Sequence, residues 1–308
     1  MKEFLQLKAF IFLASVVVVA LAAPESCENE CKNPGIRREW RSLGFNDQKA
    51  FADAIKCSLH WHLLSWHRLF LNTLENILRS ECHYTGHLPF WDWTLGDYHD
   101  IKHSYLFNAD PEVGFGAFPG PETNYTVTTG AFRNLIRAYP YTHRGQRNYT
   151  LRPFAYDPLL QANTTQTLEE WKKLVTGSVG NYTSFQYSVD GVRGEGVHIA
   201  THLSIGGDVA ALSYSPNDVI FFLLHCQLDR LWAAWQGYSP QNRYAIGGGL
   251  TQDLLHYDTY PVGTGTPVTL DTVILLSNLA PNTKVKELMD TKGGVLCYEY
   301  EITGSTYM

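Results

Sequence analysis

No histidine occurs in residues 1–59, although the chain carries 12 of them, and then His60, His62 and His67 fall within eight positions in "SLHWHLLSWHRLF". Basic charge is also scarce: 24 Lys and Arg stand against 30 Asp and Glu, a net charge of −6. A chain of this balance has no positive field to gather a polyanion, which argues against nucleic acid and favours a small neutral or weakly polar partner. H-E-x-x-H is absent, which removes the usual helical zinc-hydrolase site, and Cys27-x3-Cys31 has no second pair downstream, which removes a zinc ribbon. Internal repeats and low-complexity tracts are lacking too. With 44% hydrophobic and 18% charged residues, disorder of the whole chain is excluded, and its 308 residues suffice for one large core.

Long apolar runs are limited to the N-terminus. Lys2 and Lys8 precede an apolar stretch from Ala9 to Ala23 that includes Ala20-Leu21-Ala22. That stretch is shorter than the roughly 18–20 residues of a membrane span and ends in small residues, as a cleaved secretory signal over residues 1–22 does. The expectation is a secreted, extracellular protein whose mature form has no membrane contact. Sequons at Asn124, Asn148, Asn163 and Asn181 predict glycosylation and agree with that route. In an oxidising compartment the six cysteines, Cys27, Cys31, Cys57, Cys82, Cys226 and Cys297, can form disulfides, with 15 pairings open. Cys226, next to His225 in an apolar run, reads as a buried thiol.

Helical periodicity surrounds the histidines. Asn46–Ile55 reads as a capped helix with Phe51 and Ile55 on one face. Trp66–Arg79 sets Phe70, Leu74, Ile77 and Leu78 in a stripe, with Glu75 and Arg79 one turn apart. Asp218–Trp235, "DVIFFLLHCQLDRLWAAW", is apolar nearly all round, as a helix in the middle of a bundle is, and carries His225 and Asp229 on one face. Residues 97–150 are rich in Gly, Pro, Asn and Tyr and predict a long loop with one short helix near Phe132–Ala138. Strand character is confined to Thr269–Leu276 and Leu296–Ile302. The class is mainly α: one domain, long loops, and a little β near the C-terminus.

A second histidine group, "EGVHIATHLSIGGD", places His198 and His202 four apart, on one face of a helix, as joint metal coordination requires. His225, inside an apolar helix, is costly to bury unless both ring nitrogens are satisfied, and a metal plus a carboxylate or carbonyl would do that. Three neutral imidazoles without a thiolate pair suit copper or zinc. Two histidine groups point to a pair of metals held between helices, an arrangement fit for oxygen chemistry or hydrolysis. His83, His87, His99, His103, His143 and His256 read as surface or structural residues. Phe90, Trp91 and Trp93 are candidates for the entrance of such a site.

The motifs carry a resemblance. "WHRLFLNTLE" (Trp66–Glu75) resembles the first copper signature of the tyrosinase family, and "DVIFFLLHCQLD" (Asp218–Asp229) its second, Asp-Pro-x-Phe-aromatic-x2-His-x3-Asp. "PFWDW" at Pro89–Trp93, "HLSIGGD" from His202 and "CYEYE" at Cys297–Glu301 resemble further family motifs, in the same order. The likeness spans roughly Cys31 to Glu301. It implies a catalytic core over residues 31–301: a four-helix bundle holding a dinuclear copper site, each copper on three histidines, with dioxygen between them oxidising small phenols and catechols to quinones. Position by position, His198, His202 and His225 would hold the second copper and His67 would be the last ligand of the first, with Asp229 and Glu75 behind the ligands, Asp229 orienting a ligand histidine. Because the chain stops soon after Tyr-x-Tyr, the expectation is that no C-terminal shielding domain is present and that no proteolytic activation is needed.

The departures are specific. The family's middle ligand of the first site stands nine residues before the last, where this chain has Ser58, and its earliest ligand lies in a region that here has no histidine. Only His60 and His62, or His83 and His87, can replace the two. At about 100° per residue His60 and His67 share a helical face and His62 points away, so a continuous helix cannot present all three to one ion. The reading favoured by the sequence is a segment missing after Cys57, leaving one copper or none in place of two. Val219 and Leu224 replace a Pro and a His of the second signature. Ile199 replaces the Asn that in some tyrosinases helps deprotonate monophenols, so catechol oxidation is expected over monophenol hydroxylation. Cys57 does not stand two before a ligand, the spacing of a Cys–His thioether in fungal relatives, and is expected in a disulfide. Two alternatives stay open: a non-catalytic member with a damaged first site, and an oxygen carrier of haemocyanin type.

Overall fold

A computed structural model describes residues 31–57, 64–155, 157–191, 196–211, 213–249, 266–276 and 279–304. Among these are six α-helices, α1 Phe45–Cys57, α2 Leu64–Cys82, α3 Leu168–Thr176, α4 Tyr182–Asp190, α5 Val197–Ile205 and α6 Ile220–Tyr238, with single 3-10 turns between them. Strands are short: β1 Gly35–Arg37, β2 Ile136–Arg137, β3 His143–Arg144, β4 Val273–Ile274, β5 Thr283–Lys284 and β6 Tyr298–Tyr300.

The central element is α6. Asp218 caps its start, its Oδ1 accepting from the Ile220 N–H at 3.1 Å, and the helix is buried on every face from Ile220 through Trp232. It has no solvated side because α3 packs on one flank and α2 on another, while α1 covers α2 and α4 packs on α5. Phe51, Ala52 and Ile55 of α1 and Phe70, Leu71, Leu74 and Leu78 of α2 join the same core. Phe185 of α4 stacks on Trp235 of α6, ring centroids 4.5 Å apart. No helix among the described residues is long and apolar enough to cross a membrane.

The helices predicted over Asn46–Ile55, Trp66–Arg79 and Asp218–Trp235 are present, each a residue or more longer at its C-terminal end. Two helices the periodicity did not reveal, α3 and α4, are nine residues each and depend on their caps. Thr167 accepts from Glu170 N, and Asn181 from Ser184 N. The helix predicted near Phe132–Ala138 does not form. Phe132 is buried in a turn, and Ile136 and Arg137 pair with Arg144 and His143 in an antiparallel ribbon closed through Pro140. Seven residues ahead of a proline cannot repay helix nucleation. The two C-terminal strands are present but shortened, Val273–Ile274 against Thr283–Lys284 and Tyr298–Tyr300 against β1.

The β1–β6 pairing is parallel, Gly35 opposite Tyr298 and Arg37 opposite Tyr300, and brings the two ends of the described chain together. A disulfide between Cys31 and Cys297 closes the same junction across a sequence separation of 266. Cys82 is also disulfide-bonded, and Cys226 is the buried free thiol expected. The side chain of Cys57 lies outside the described residues. A loop this long restricts the unfolded chain strongly, so Cys297→Ser should cost about 2–4 kcal/mol in urea unfolding, read as a lower midpoint with a steeper slope as the unfolded chain expands.

Candidate metal centre

Three helices deliver four histidines to one place. His67 comes from the first turns of α2, His198 and His202 from one face of α5, and His225 from the buried α6; all four are at most 9% exposed. The candidate ligand nitrogens of His198, His202 and His225 lie within 4.8 Å of one another, the one group among the described residues able to hold a metal ion through three such side chains. The His67 ring lies beside them, its centroid 3.9 Å from that of His225 and 6.3 Å from that of His198. The Phe221 ring stacks on His225 at 3.9 Å and lies 5.6 Å from the His67 ring.

The hydrogen bonds fix the tautomers. His202 Nδ1 is 2.6 Å from the Val209 carbonyl, and His225 Nδ1 is 2.7 Å from the Phe221 carbonyl of its own helix. A carbonyl only accepts, so both Nδ1 atoms carry the proton and both Nε2 atoms carry a lone pair. His198 Nδ1 donates in the same way to the Asp190 carboxylate at 2.6 Å. With His198 in the same neutral tautomer, its Nε2 lone pair meets that of His225 at 3.2 Å, and His202 Nε2 is buried with no hydrogen-bond partner. Converging unprotonated nitrogens of this kind repel one another unless a cation lies among them, and the all-imidazole set with anchored Nδ1–H groups is what copper or zinc takes. Burial, reinforced by His198, lowers the His202 pKa to about 3. Burial, reinforced by His67, lowers that of His225 as well. Both rings are thus neutral at physiological pH, as ligands must be.

The expected roles of two carboxylates need correction. Asp229 touches no histidine among its hydrogen bonds and ion pairs: Oδ1 accepts from Arg68 Nε at 2.5 Å, Oδ2 accepts from the hydroxyls of Tyr298 and Tyr300 at 2.6 Å each, and Arg37 approaches to 3.6 Å. The carbonyl one turn back along α6 reaches the His225 ring first, which leaves Asp229 for the cations. Glu75 is likewise spent on Arg37 at 3.1 Å, Arg79 at 2.6 Å, His87 at 2.7 Å and the Leu88 N–H at 3.1 Å. Phe90, Trp91 and Trp93 do not line an entrance; they are at most 1% exposed and pack in the core.

Of the remaining candidates, His60, His62 and His256 lie outside the described residues, as does the predicted signal over residues 1–22. His83 follows the C-terminal end of α2 and His87 turns back onto Glu75 at 2.7 Å, and neither belongs to the histidine group around His225. His143 is structural, its Nε2 3.1 Å from Asp208. The residues that sequence reasoning did not name are those that hold the ligands: Asp190, Val209 and Phe221. Two of the three act through backbone carbonyls, which leave no mark on side-chain identity.

Residues 38–238 match the common central domain of tyrosinase. The chain belongs to the tyrosinase family. Among curated tyrosinase-like proteins it is 32% identical over 305 residues to the tyrosinase ustQ of Aspergillus flavus, covering 88% of this chain and 80% of that protein. It is 30% identical over 317 residues to the tyrosinase-like protein phomQ1 of Diaporthe leptostromiformis, covering 88% and 79%. Among solved structures, a variant of the polyphenol oxidase from Thermothelomyces thermophila superposes with a TM-score of 0.66 at 25% identity, over 87% of this chain and 89% of that one. The helix-rich architecture with little strand is thus the tyrosinase fold, and membership implies copper-dependent oxidation of phenols.

Burial works to raise the Glu75 pKa, but Arg37, His87 and Arg79 outweigh it and hold the carboxyl at about 2, against an ordinary 4.5. Between those values the unfolded chain binds a proton that the folded chain does not, so stability falls as pH falls through that window. The contribution at neutral pH is about 3 kcal/mol. Glu75→Gln should lower stability at pH 7 and flatten the loss between pH 4.5 and pH 2 in urea titrations; an unchanged acid limb would contradict the assignment.

Proposed function

We propose that this tyrosinase-family chain binds copper through His198, His202 and His225, with His67 contributing from α2, and oxidises catechols to quinones with dioxygen. The observation that carries the reading is the set of three Nδ1–H groups anchored outward while their Nε2 lone pairs converge. Copper held there supplies the redox couple that passes electrons from the phenol to dioxygen. Conversion of a catechol to an ortho-quinone releases two electrons and two protons, which half a dioxygen takes up as water. The chain's residues keep the ligand set neutral and oriented. Asp190 and the carbonyls of Val209 and Phe221 hold the protons at Nδ1, and the Phe221 ring keeps water from one side of His225. Ile199, beside His198, offers no polar atom to accept a phenol proton. A catechol is oxidised without a new C–O bond, so this loss bears on monophenol hydroxylation first.

One observation favours a second reading, a member keeping the second site only. On the α2 side His67 is the one histidine brought to the cluster among the described residues, with no group of three there. Copper stoichiometry separates the two: two ions per chain support a dinuclear oxidase, one ion supports the impaired form.

We read residues 31–301 as the catalytic unit and the protein as secreted. The Cys31–Cys297 disulfide and exposed sequon asparagines at Asn124, Asn148 and Asn181 support export. The Asn163 side chain is instead folded inward, its Nδ2 donating to the Tyr98 carbonyl at 2.9 Å.

His225→Ala should remove copper from the second site and abolish catechol oxidation followed at the quinone absorbance. Asp190→Ala, which leaves all three ligands but frees His198 Nδ1, should weaken copper retention about 10–100-fold in chelator competition. Retention equal to the parent in both variants would sink the assignment.

A further inference from the structure

His202 is tethered through the Val209 carbonyl, and that carbonyl lies on a short turn, Gly207–Ala210, just after α5. Nothing within the turn explains why its carbonyl stays in place. Two of its contacts come from the segment that begins with β3. The Asp208 carboxylate lies 3.1 and 3.2 Å from His143 Nε2, with the two side chains 4% and 7% exposed. The Asp208 N–H donates to the Gln146 carbonyl at 3.0 Å. His143 is itself held, its Nδ1 2.7 Å from the Tyr141 carbonyl. With one ring nitrogen on the Tyr141 carbonyl and the other on the Asp208 carboxylate, the His143 ring spans the gap and braces Asp208 against the β2–β3 ribbon.

Close approach is built into the backbone. Gly206 and Gly207 have φ of 73° and 56°, and a Cβ on Gly207 would lie 1.9 Å from the Gln146 carbonyl oxygen. Only glycine lets the turn press this near. On its other side, Ser215 Oγ donates to the same Val209 carbonyl at 2.7 Å. The tether of His202 is thus fixed between the Ser215 hydroxyl and the His143–Asp208 pair. Arg137, buried nearby, adds attraction for the Asp208 carboxylate, and Asp218 opposes its charge.

We propose that His143 and Asp208 form a positioning pair for the metal centre: by clamping the turn Gly207–Ala210 to β3, they hold the Val209 carbonyl that aims His202 Nε2 at the ion. The inference rests on reading His198, His202 and His225 as a copper site. Neither residue touches the ion, so the expected loss is that of a support to a ligand, about tenfold or more in metal affinity.

The test uses the full chain and copper(I), with affinity read by competition against a chromophoric copper(I) chelator and folding read by thermal melting of the copper-free protein. His143→Ala and Asp208→Ala should each weaken copper binding about tenfold or more while melting stays within a few degrees of the parent. His143→Gln, which keeps one donor toward Asp208, should recover most of the affinity. Arg144→Ala, the exposed neighbour on β3, serves as control and should bind copper as the parent does. Parent-like affinity in both alanine variants overturns the pair. So does a loss that Arg144→Ala reproduces, or one that tracks a matching fall in melting temperature without rescue by His143→Gln; either makes the pair general support for the fold. A parent chain that binds no copper fails at the earlier step, and overturns the underlying reading as well.

Discussion

The ion pair between Arg68 and Asp229 joins α2 to α6 in the middle of the protein, with both side chains at most 1% exposed. Charges this deep are tolerated only when every remaining hydrogen-bonding position is used. The Arg68–Asp229 pair meets that condition. The Arg68 guanidinium also donates to Gln236 Oε1 at 3.0 Å and to the Leu288 carbonyl at 2.8 Å, and lies 3.8 Å over the Trp232 ring. Asp229 takes the hydroxyls of Tyr298 and Tyr300 on its second oxygen. Arg37, whose guanidinium lies 3.4 Å from the centre of the Tyr298 ring, ties the same carboxylate to Glu75. This arrangement sets the register of α2 on α6. Because His67 is the residue before Arg68, and His225 lies one turn before Asp229, the same register brings the two imidazoles to 3.9 Å. The charged network and the histidine cluster are neighbouring layers of one helix interface.

The two layers use opposite electrostatic strategies. The arginines and carboxylates are charged and mutually neutralised, whereas His202 and His225 are kept uncharged by burial and by neighbouring imidazoles. Separation along α6 lets both exist within one turn, since the ring of His225 turns to its own helix for a partner and leaves the Asp229 carboxylate to the cations. A carboxylate sharing Nδ1 of His225 would compete with Arg68 for that charge. Among the described residues the carboxylate that meets one of the three converging histidines, Asp190, comes from α4, far from Arg37 and Arg68 in sequence.

Much of this was legible beforehand, for identifiable reasons. The α2 and α6 segments carry periodicity over 19 residues each, long enough for the apolar pattern to outweigh local accidents. His198 and His202 declared themselves through helical spacing and His225 through the apolar company it keeps, whereas His67 rested on the likeness of "WHRLFLNTLE" to the family's first copper signature. The α3 and α4 helices escaped notice because nine residues give only two or three buried positions each, such as Trp171 and Val175, and because their signal lay in caps. Asp229 was misassigned because its spacing from His225 is right for a contact, and spacing alone cannot reveal that a backbone carbonyl and two arginines compete for the same groups. The Val209 tether was unreadable in principle, since any residue there presents a carbonyl.

The parallel pairing of β1 with β6 has a bearing on how the protein comes into being. Tyr298 and Tyr300, which complete the hydrogen bonding of Asp229, are the last of that network to leave the ribosome, long after Arg37, Arg68 and Asp229 itself have emerged. Until they arrive, the Asp229 carboxylate that aligns α2 with α6 has its arginines but not the two hydroxyls on its second oxygen, and contacts so distant in sequence form late. A growing chain therefore has both imidazole-bearing helices in hand before the strand that completes the hydrogen bonding between them has emerged.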